Sequence, residues 1–296
     1  MPSSALQTLV DAIRAVPARA GLTLAQLRQQ MEEQARLAPP AADIRCKPVD
    51  ADGVPCEWVL APGADQRTVV LYLHGGGYYR GSLNTHRELC ARISRAAGAA
   101  VLHVGYRLAP EHPFPAALDD ALAAWRWLTG LGVPPGRVVA AGDSAGGGLA
   151  AALLLVLRDR GDALPGAGVL LSPWTDLEQT GLSVRTRAAA DPSLTKAYLD
   201  RFAAAYLNGA PVRDPRASPL YGDLRGLPPL LVQVGTAEIL EDDAVRFADK
   251  ARAAGGAVTL ELWPGMIHVW QRYAAQLPEA REAIDKIGIF VKQTLA

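Results

Sequence analysis

Between residues 68 and 263, short apolar runs alternate with longer stretches in which apolar side chains recur every three or four positions. The short runs are TVVLYL (68–73), AAVLHV (99–104), RVVAAG (137–142), AGVLLS (167–172), PLLVQVG (229–235) and AVTLELW (257–263). Helical patterns lie between most of them, at 84–97, 116–130, 145–160 and 241–254, with a last one at about 268–294. This alternation predicts βαβ units and a mostly parallel sheet with helices on both faces.

Two stretches depart from the rhythm. Upstream, Leu6, Leu9, Val10 and Ile13 share one helical face, and Leu24, Leu27 and Met31 begin a second, until APP at 38–40 ends the pattern. Two candidate strands follow, 44–49 and 56–60, joined by DADG as a hairpin-type turn. Downstream, 173–228 is too long for a single crossover and is rich in proline. It contains an amphipathic run, LTKAYLDRFAAAYL (194–207). An insertion of this size suits a lid or a substrate-binding element.

Composition narrows the function classes. Of 296 residues, 50% are hydrophobic and 20% charged, enough for a sizeable core. Thirty basic and thirty acidic residues cancel, which argues against a nucleic-acid partner. The longest apolar run, Leu149 to Leu157, falls well short of the ~18 residues of a membrane span. The N-terminus lacks a basic start followed by an unbroken apolar core, so the expected location is cytoplasmic. Cys46, Cys56 and Cys90 have no metal-ligand spacing and read as reduced structural thiols, with a Cys46–Cys56 disulfide as the minor alternative.

The chemistry is carried by VVAAGDSAGGGLAAALLLVL (138–157). It contains G-x-S-x-G as Gly142-Asp143-Ser144-Ala145-Gly146, with a strand before it and a helix after it, the setting of a nucleophile elbow. A serine hydroxyl at its ordinary pKa is a weak nucleophile and needs a base, itself oriented by a carboxylate. In this setting the chain order is serine, acid, histidine. Of His74, His86, His103, His112 and His268, only His268 follows Ser144, so it is the candidate base. For the acid, PLLVQVGTAEILEDDA offers Glu238, Glu241, Asp242 and Asp243. Glu238 is nearest the strand end, where catalytic loops emerge. The others fit the first turn of a helix, where carboxylates favour the dipole.

HGGG (74–77), YRLAPEHPFPAALDD (106–120) and GDSAGG (142–147) together resemble the hormone-sensitive-lipase family of α/β-hydrolases, the bacterial family IV esterases. The resemblance runs from about residue 40 to the end of the chain. It implies the α/β-hydrolase fold, a mostly parallel central sheet with helices on both faces and a helical cap. Cap helices in 1–42 would precede a catalytic domain, 43–296, itself carrying a cap insertion at about 176–220. The implied activity is hydrolysis of short- to medium-chain carboxylic esters through an acyl-enzyme, with no metal or organic cofactor. Near the acid the family pattern is G-x-x-D-x-L-x-D, whereas this chain has Gly235-Thr-Ala-Glu238-Ile-Leu240-Glu-Asp242. Glutamate thus stands in the aspartate slot, which this fold accepts, and Glu238 is favoured with Asp242 second. In the cap, Tyr198, Phe202, Tyr206 and Leu207 lie at helical spacing, as candidates either to line an acyl pocket or to pack the cap onto the body. The 106–120 signature is mainly structural, so His112 and Asp119 take no catalytic role. Relatives often dimerise through an edge strand, here 257–263. Lactones and small amides would be opened by the same steps. Plant gibberellin receptors resemble the family but lack its histidine, so His268 argues for an enzyme over a binding protein.

LYLHGGGYYRGS (71–82) superficially suggests a phosphate loop, but it completes neither G-x-x-x-x-G-K-[ST] nor G-x-G-x-x-G. Beside Ser144 it reads instead as an oxyanion hole. Gly76 and Gly77 would offer amides unobstructed by side chains, joined by the N–H of Ala145, with Gly75 the position that could displace one of them. His74 is expected to brace the loop.

Overall fold

A computed structural model of the protein describes residues 3–16 and 21–295. Two helices come first, α1 (Ser4–Ala15) and α2 (Leu24–Arg36). Residues 17–20, which the N-terminal helical reading crosses, lie outside the described part. The chain then runs β1 (Arg45–Ala51), β2 (Val54–Leu60), β3 (Asp65–Leu73), α3 (Leu83–Ala97), β4 (Ala99–Val104), α4 (Ala116–Gly130), β5 (Val138–Asp143), α5 (Ala145–Arg160) and β6 (Ala167–Leu171). After β6 come α6 (Ser183–Thr186) and α7 (Lys196–Leu207), then β7 (Leu230–Gly235), α8 (Glu241–Ala253), β8 (Val258–Trp263) and α9 (Pro278–Thr294).

The eight strands form one sheet in the order β1-β2-β4-β3-β5-β6-β7-β8. Pairings from β4 through β8 are parallel, and only β1–β2 and β2–β4 are antiparallel. This is the predicted α/β-hydrolase architecture. Each central strand feeds both faces. Val69, Leu71 and Leu73 of β3 join the core beneath α4, α5 and α8, while Val70 and Tyr72 join the core beneath α3 and α9. Helix α5 is buried from Ala145 to Leu157, which is why its sequence is apolar all round.

One reading needs adjustment, and one minor alternative falls away. The final helix does not start at 268. A short 3₁₀ turn spans Trp270–Tyr273, and α9 begins only at Pro278, a residue that favours the first turn. The β1–β2 hairpin turns through Asp52 and Gly53, both at positive φ, and its register sets Cys56 opposite Val49 and Cys46 opposite Val59. The two thiols therefore do not face each other, and all three cysteines are free. Among the described residues no helix is long and apolar enough to cross a membrane.

Candidate active site

Ser144 sits between β5 and α5 at φ 54° and ψ −122°, a strained conformation for a side-chain-bearing residue. The surroundings hold it there. Its N–H donates to Leu171 O at 2.8 Å, and its carbonyl accepts from Trp174 N at 2.9 Å and Gly148 N at 3.1 Å. The neighbouring glycines are required by close approach: a Cβ on Gly146 would collide with the Leu73 carbonyl, and one on Gly142 with the Gly146 carbonyl.

His268 lies on the loop after β8. Its Nε2 is 2.9 Å from Ser144 Oγ, and its Nδ1 is 2.6 Å from Glu238 Oε2. Glu238 is fully buried, and its other oxygen accepts from Ser172 Oγ at 2.7 Å and Gly235 N at 2.8 Å. The remaining carboxylates of the segment are engaged elsewhere. Glu241 pairs with Arg187, Asp242 accepts from Ser183 N, and Asp243 accepts from the amides of Thr175 and Asp176. Burial alone would lower the His268 pKa. Glu238, with help from Asp191 and Asp143, outweighs that and leaves it above the ordinary histidine value.

In the glycine loop the Gly75 N–H is taken, donating to Asp143 Oδ1 at 3.0 Å. Gly76 (φ 125°) and Gly77 (φ 69°) both adopt backbone that side chains disfavour, and both line the cavity that holds Ser144. Ala145 opens α5, so its N–H has no carbonyl one turn back to receive it. His74 is buried, with Nδ1 2.9 Å from Gly75 O, and stacks between His86 and Tyr106. Burial pushes its pKa down to about 3, so it stays neutral.

A serine on a strained strand-to-helix turn, in line with a histidine and a buried carboxylate, directs the comparison with known proteins. The α/β hydrolase fold family matches residues 70–272. An acetyl-hydrolase of Streptomyces hygroscopicus is 53% identical over 236 residues, covering 80% of this chain and 79% of that protein. An esterase of Acinetobacter venetianus is 37% identical over 285 residues, covering 96% and 94%. The crystal structure of an esterase from the bacterial hormone-sensitive lipase family superposes with a TM-score of 0.97 at 48% identity, covering 100% of both chains. The chain belongs to the hormone-sensitive-lipase family of α/β hydrolases.

The family site opens into a cavity of about 80 Å³. Trp174, Leu194, Leu199 and Phe202 give it an apolar wall, and Met31 of α2 joins them. Of the four aromatic and aliphatic candidates on α7, only Phe202 reaches the cavity. Tyr206 points into the body, stacked on Tyr78 with ring centroids 3.7 Å apart. Leu207 is buried in the core, and half-buried Tyr198 stacks on Phe202 with ring centroids 6.3 Å apart. Helical spacing grouped these four on one side of α7, but it could not say which of them face the body. The Phe202 ring occupies the space where a Cβ on Gly77 would sit, and the Arg80 guanidinium lies over that ring, 5.5 Å from its centroid.

Sequence reasoning missed three parts. Ser172 joins the two halves of the site, donating to Glu238 and accepting from Val269 N at 3.2 Å. Its signal was a polar residue at the end of an apolar strand. Asp143, inside the G-x-S-x-G motif, is fully buried and accepts from Tyr72 OH, Gly75 N and His86 Nε2. Burial opposes its ionisation, yet His86, Arg272 and Tyr72 hold its pKa below the ordinary range. Arg272, four residues beyond His268, lines the cavity and carried no sequence signal.

Proposed function

We propose that the protein hydrolyses carboxylic esters by a two-step acyl transfer through Ser144. His268 accepts the Ser144 proton as Oγ attacks the ester carbonyl, and Glu238 holds the ring and balances the imidazolium that forms. The amides of Gly76, Gly77 and Ala145 receive the carbonyl oxygen as it becomes an oxyanion. His268 then passes the proton to the departing alcohol. Water repeats the sequence on the acyl-enzyme and releases the acid. The unbroken contact chain from Ser144 Oγ through His268 to Glu238, at 2.9 and 2.6 Å, carries this reading.

A cavity of about 80 Å³ favours short acyl groups, since pockets for drug-sized ligands run to several times that volume. The Streptomyces relative's description as an acetyl-hydrolase is in keeping with this. Helices α1 and α2 contribute Ile13 and Met31 to the cavity, and α7 contributes Phe202, which supports treating 1–42 and about 176–220 as a cap on a catalytic domain of 43–296. Strand β8 forms one edge of the sheet, and the proposal extends to a homodimer formed there. The free thiols of buried Cys56 and Cys90 fit a cytoplasmic setting.

A fluorophosphonate probe, with the adduct located by mass spectrometry, tests the nucleophile. A p-nitrophenyl ester series tests chain length. Labelling at Ser144 and a rate that falls beyond short chains are expected; absence of the Ser144 adduct overturns the reading.

A further inference from the structure

Asp191 is a buried carboxylate that the proposed mechanism leaves unused. It lies in the loop between α6 and α7 and is only 8% exposed. One oxygen accepts from the amides of Ser193 and Leu194, at 2.8 and 2.9 Å, and the other accepts from the amide of Ile239 at 3.0 Å. Ser193 and Leu194 line the cavity that holds Ser144. Ile239 directly follows Glu238. A single side chain thus joins the cavity wall to the segment carrying the proposed acid, across 48 positions of chain.

The joint is costly for a simple brace. Among the described residues no cation pairs with Asp191, and its hydrogen-bond donors are backbone amides. Burial raises its pKa, against the pull of His268 and the three amides. The turn onto Ser193 and Leu194 does not call for a charge, because asparagine forms it as well. Two other features do call for a carboxylate. Ile239 needs a second acceptor, where asparagine would set its own NH₂ against the Ile239 N–H. The second feature is charge. Burial lowers the His268 pKa, and Asp191 adds to the stronger pull of Glu238 that raises it. The other charges near His268 are Asp143 at the end of β5, with Arg80 and Arg272 in the cavity lining.

We infer that Asp191 is a positioning residue for the ester reaction: it holds the Leu194 wall and the Glu238–His268 pair in one frame and offers the imidazolium a second negative charge. The inference rests on the esterase reading above. The wall beside the acyl group is then anchored on the acid's own segment. Leu194 cannot yield to a longer chain without loading the Ile239 amide next to Glu238. Asp191 acts through Leu194, Ile239 and His268 rather than on the substrate.

The test compares wild type with Asp191→Asn and Asp191→Glu on p-nitrophenyl acetate and p-nitrophenyl hexanoate, with rates normalised to sites titrated by the fluorophosphonate probe. Asp191→Asn should lower kcat on the acetate about tenfold, the scale of one hydrogen bond to a charged group. It should also move the acid limb of kcat/KM to lower pH. The hexanoate-to-acetate ratio of kcat/KM should rise several-fold as the wall loosens. Asp191→Glu keeps the charge but changes the reach, so the limb should return toward its wild-type position while the ratio stays relaxed. Asp242→Asn is the control, because Asp242 ties α6 to α8 through Ser183 N; it should move neither the limb nor the ratio. An unshifted limb in Asp191→Asn overturns the inference, and so does an unchanged ratio. Equal shifts in Asp242→Asn, or loss of folding in both Asp191 variants, would reduce Asp191 to a structural brace and overturn it as well. Failure of the esterase reading looks different: wild type would leave p-nitrophenyl acetate intact and Ser144 unlabelled.

Discussion

Ser144 stands between two carboxylate–histidine pairs built from nearly the same parts and set to opposite purposes. On one side Glu238 meets His268 at 2.6 Å; on the other Asp143 meets His86 at 3.3 Å. Both carboxylates are buried. Burial pushes both imidazoles toward neutrality. At His268 the close glutamate wins and the proton affinity rises. At His86 burial wins despite Asp143, with Arg272 adding to the effect, and the affinity falls. In the proposed mechanism the first pair takes a proton during each turnover. The second stays a neutral donor on an ionised carboxylate, and its product is positional: Asp143 holds the Gly75 amide and thereby the loop that offers Gly76 and Gly77. The residue types do not decide which histidine is the base; contact distance and the surrounding charge do.

The sharpest break in this comparison is removal of the proton-accepting side. Ser144→Ala or His268→Ala should lower kcat by roughly 10⁴-fold or more in steady-state ester hydrolysis, as loss of a triad member does elsewhere. Next, Glu238→Gln keeps the shape but removes the charge, and a fall of about 10³ to 10⁴ in kcat is expected, while Asp242→Asn should stay within a few fold. Comparable rates for Glu238→Gln and wild type would move the acid elsewhere. On the positional side, Asp143→Asn should cost about tenfold to a hundredfold in kcat, less than outright loss of an oxyanion donor, with a lower melting temperature.

The pH profile gives the smallest effect and the cleanest separation. As the proposed base, His268 would work only when neutral, so activity should fall as pH drops through its pKa. Because that pKa is raised, the acid limb of kcat/KM should be centred above the ordinary histidine value of 6.5. Residual activity of Glu238→Gln should show a limb shifted to lower pH. His86→Gln should leave the midpoint where it is, since burial lowers the His86 pKa from the ordinary value while that of His268 is raised. A His86→Gln profile shifted as far as that of Glu238→Gln would erase the distinction between the pairs.

The sequence revealed one pair far better than the other. Strand–helix alternation located β3 to β8, chain order singled out His268, and proximity to a strand end put Glu238 first among four carboxylates. These signals are local or ordinal. The second pair joins β5 to α3 across 57 positions, and its polar atoms sit inside runs that periodicity reads as plain core. Ser172, 66 positions from Glu238, was hidden for the same reason. Tyr206 shows the complementary error. Its helical face was legible, but the Tyr78 ring it stacks against is 128 positions away in the chain, and no spacing rule supplies that partner. The late start of α9 turned on Pro278, a cue available in the chain but outweighed by the apolar pattern that precedes it.

The seat of Phe202 against Gly77 has a kinetic meaning. The ring proposed to wall the acyl side is also the backing of a glycine proposed to hold the oxyanion. An acyl group large enough to push Phe202 aside relieves crowding in the ground state but loosens the amide that must meet the transition state. Oversized esters should therefore still bind, and fail by reacting slowly, so that the enzyme measures chain length in turnover more than in affinity.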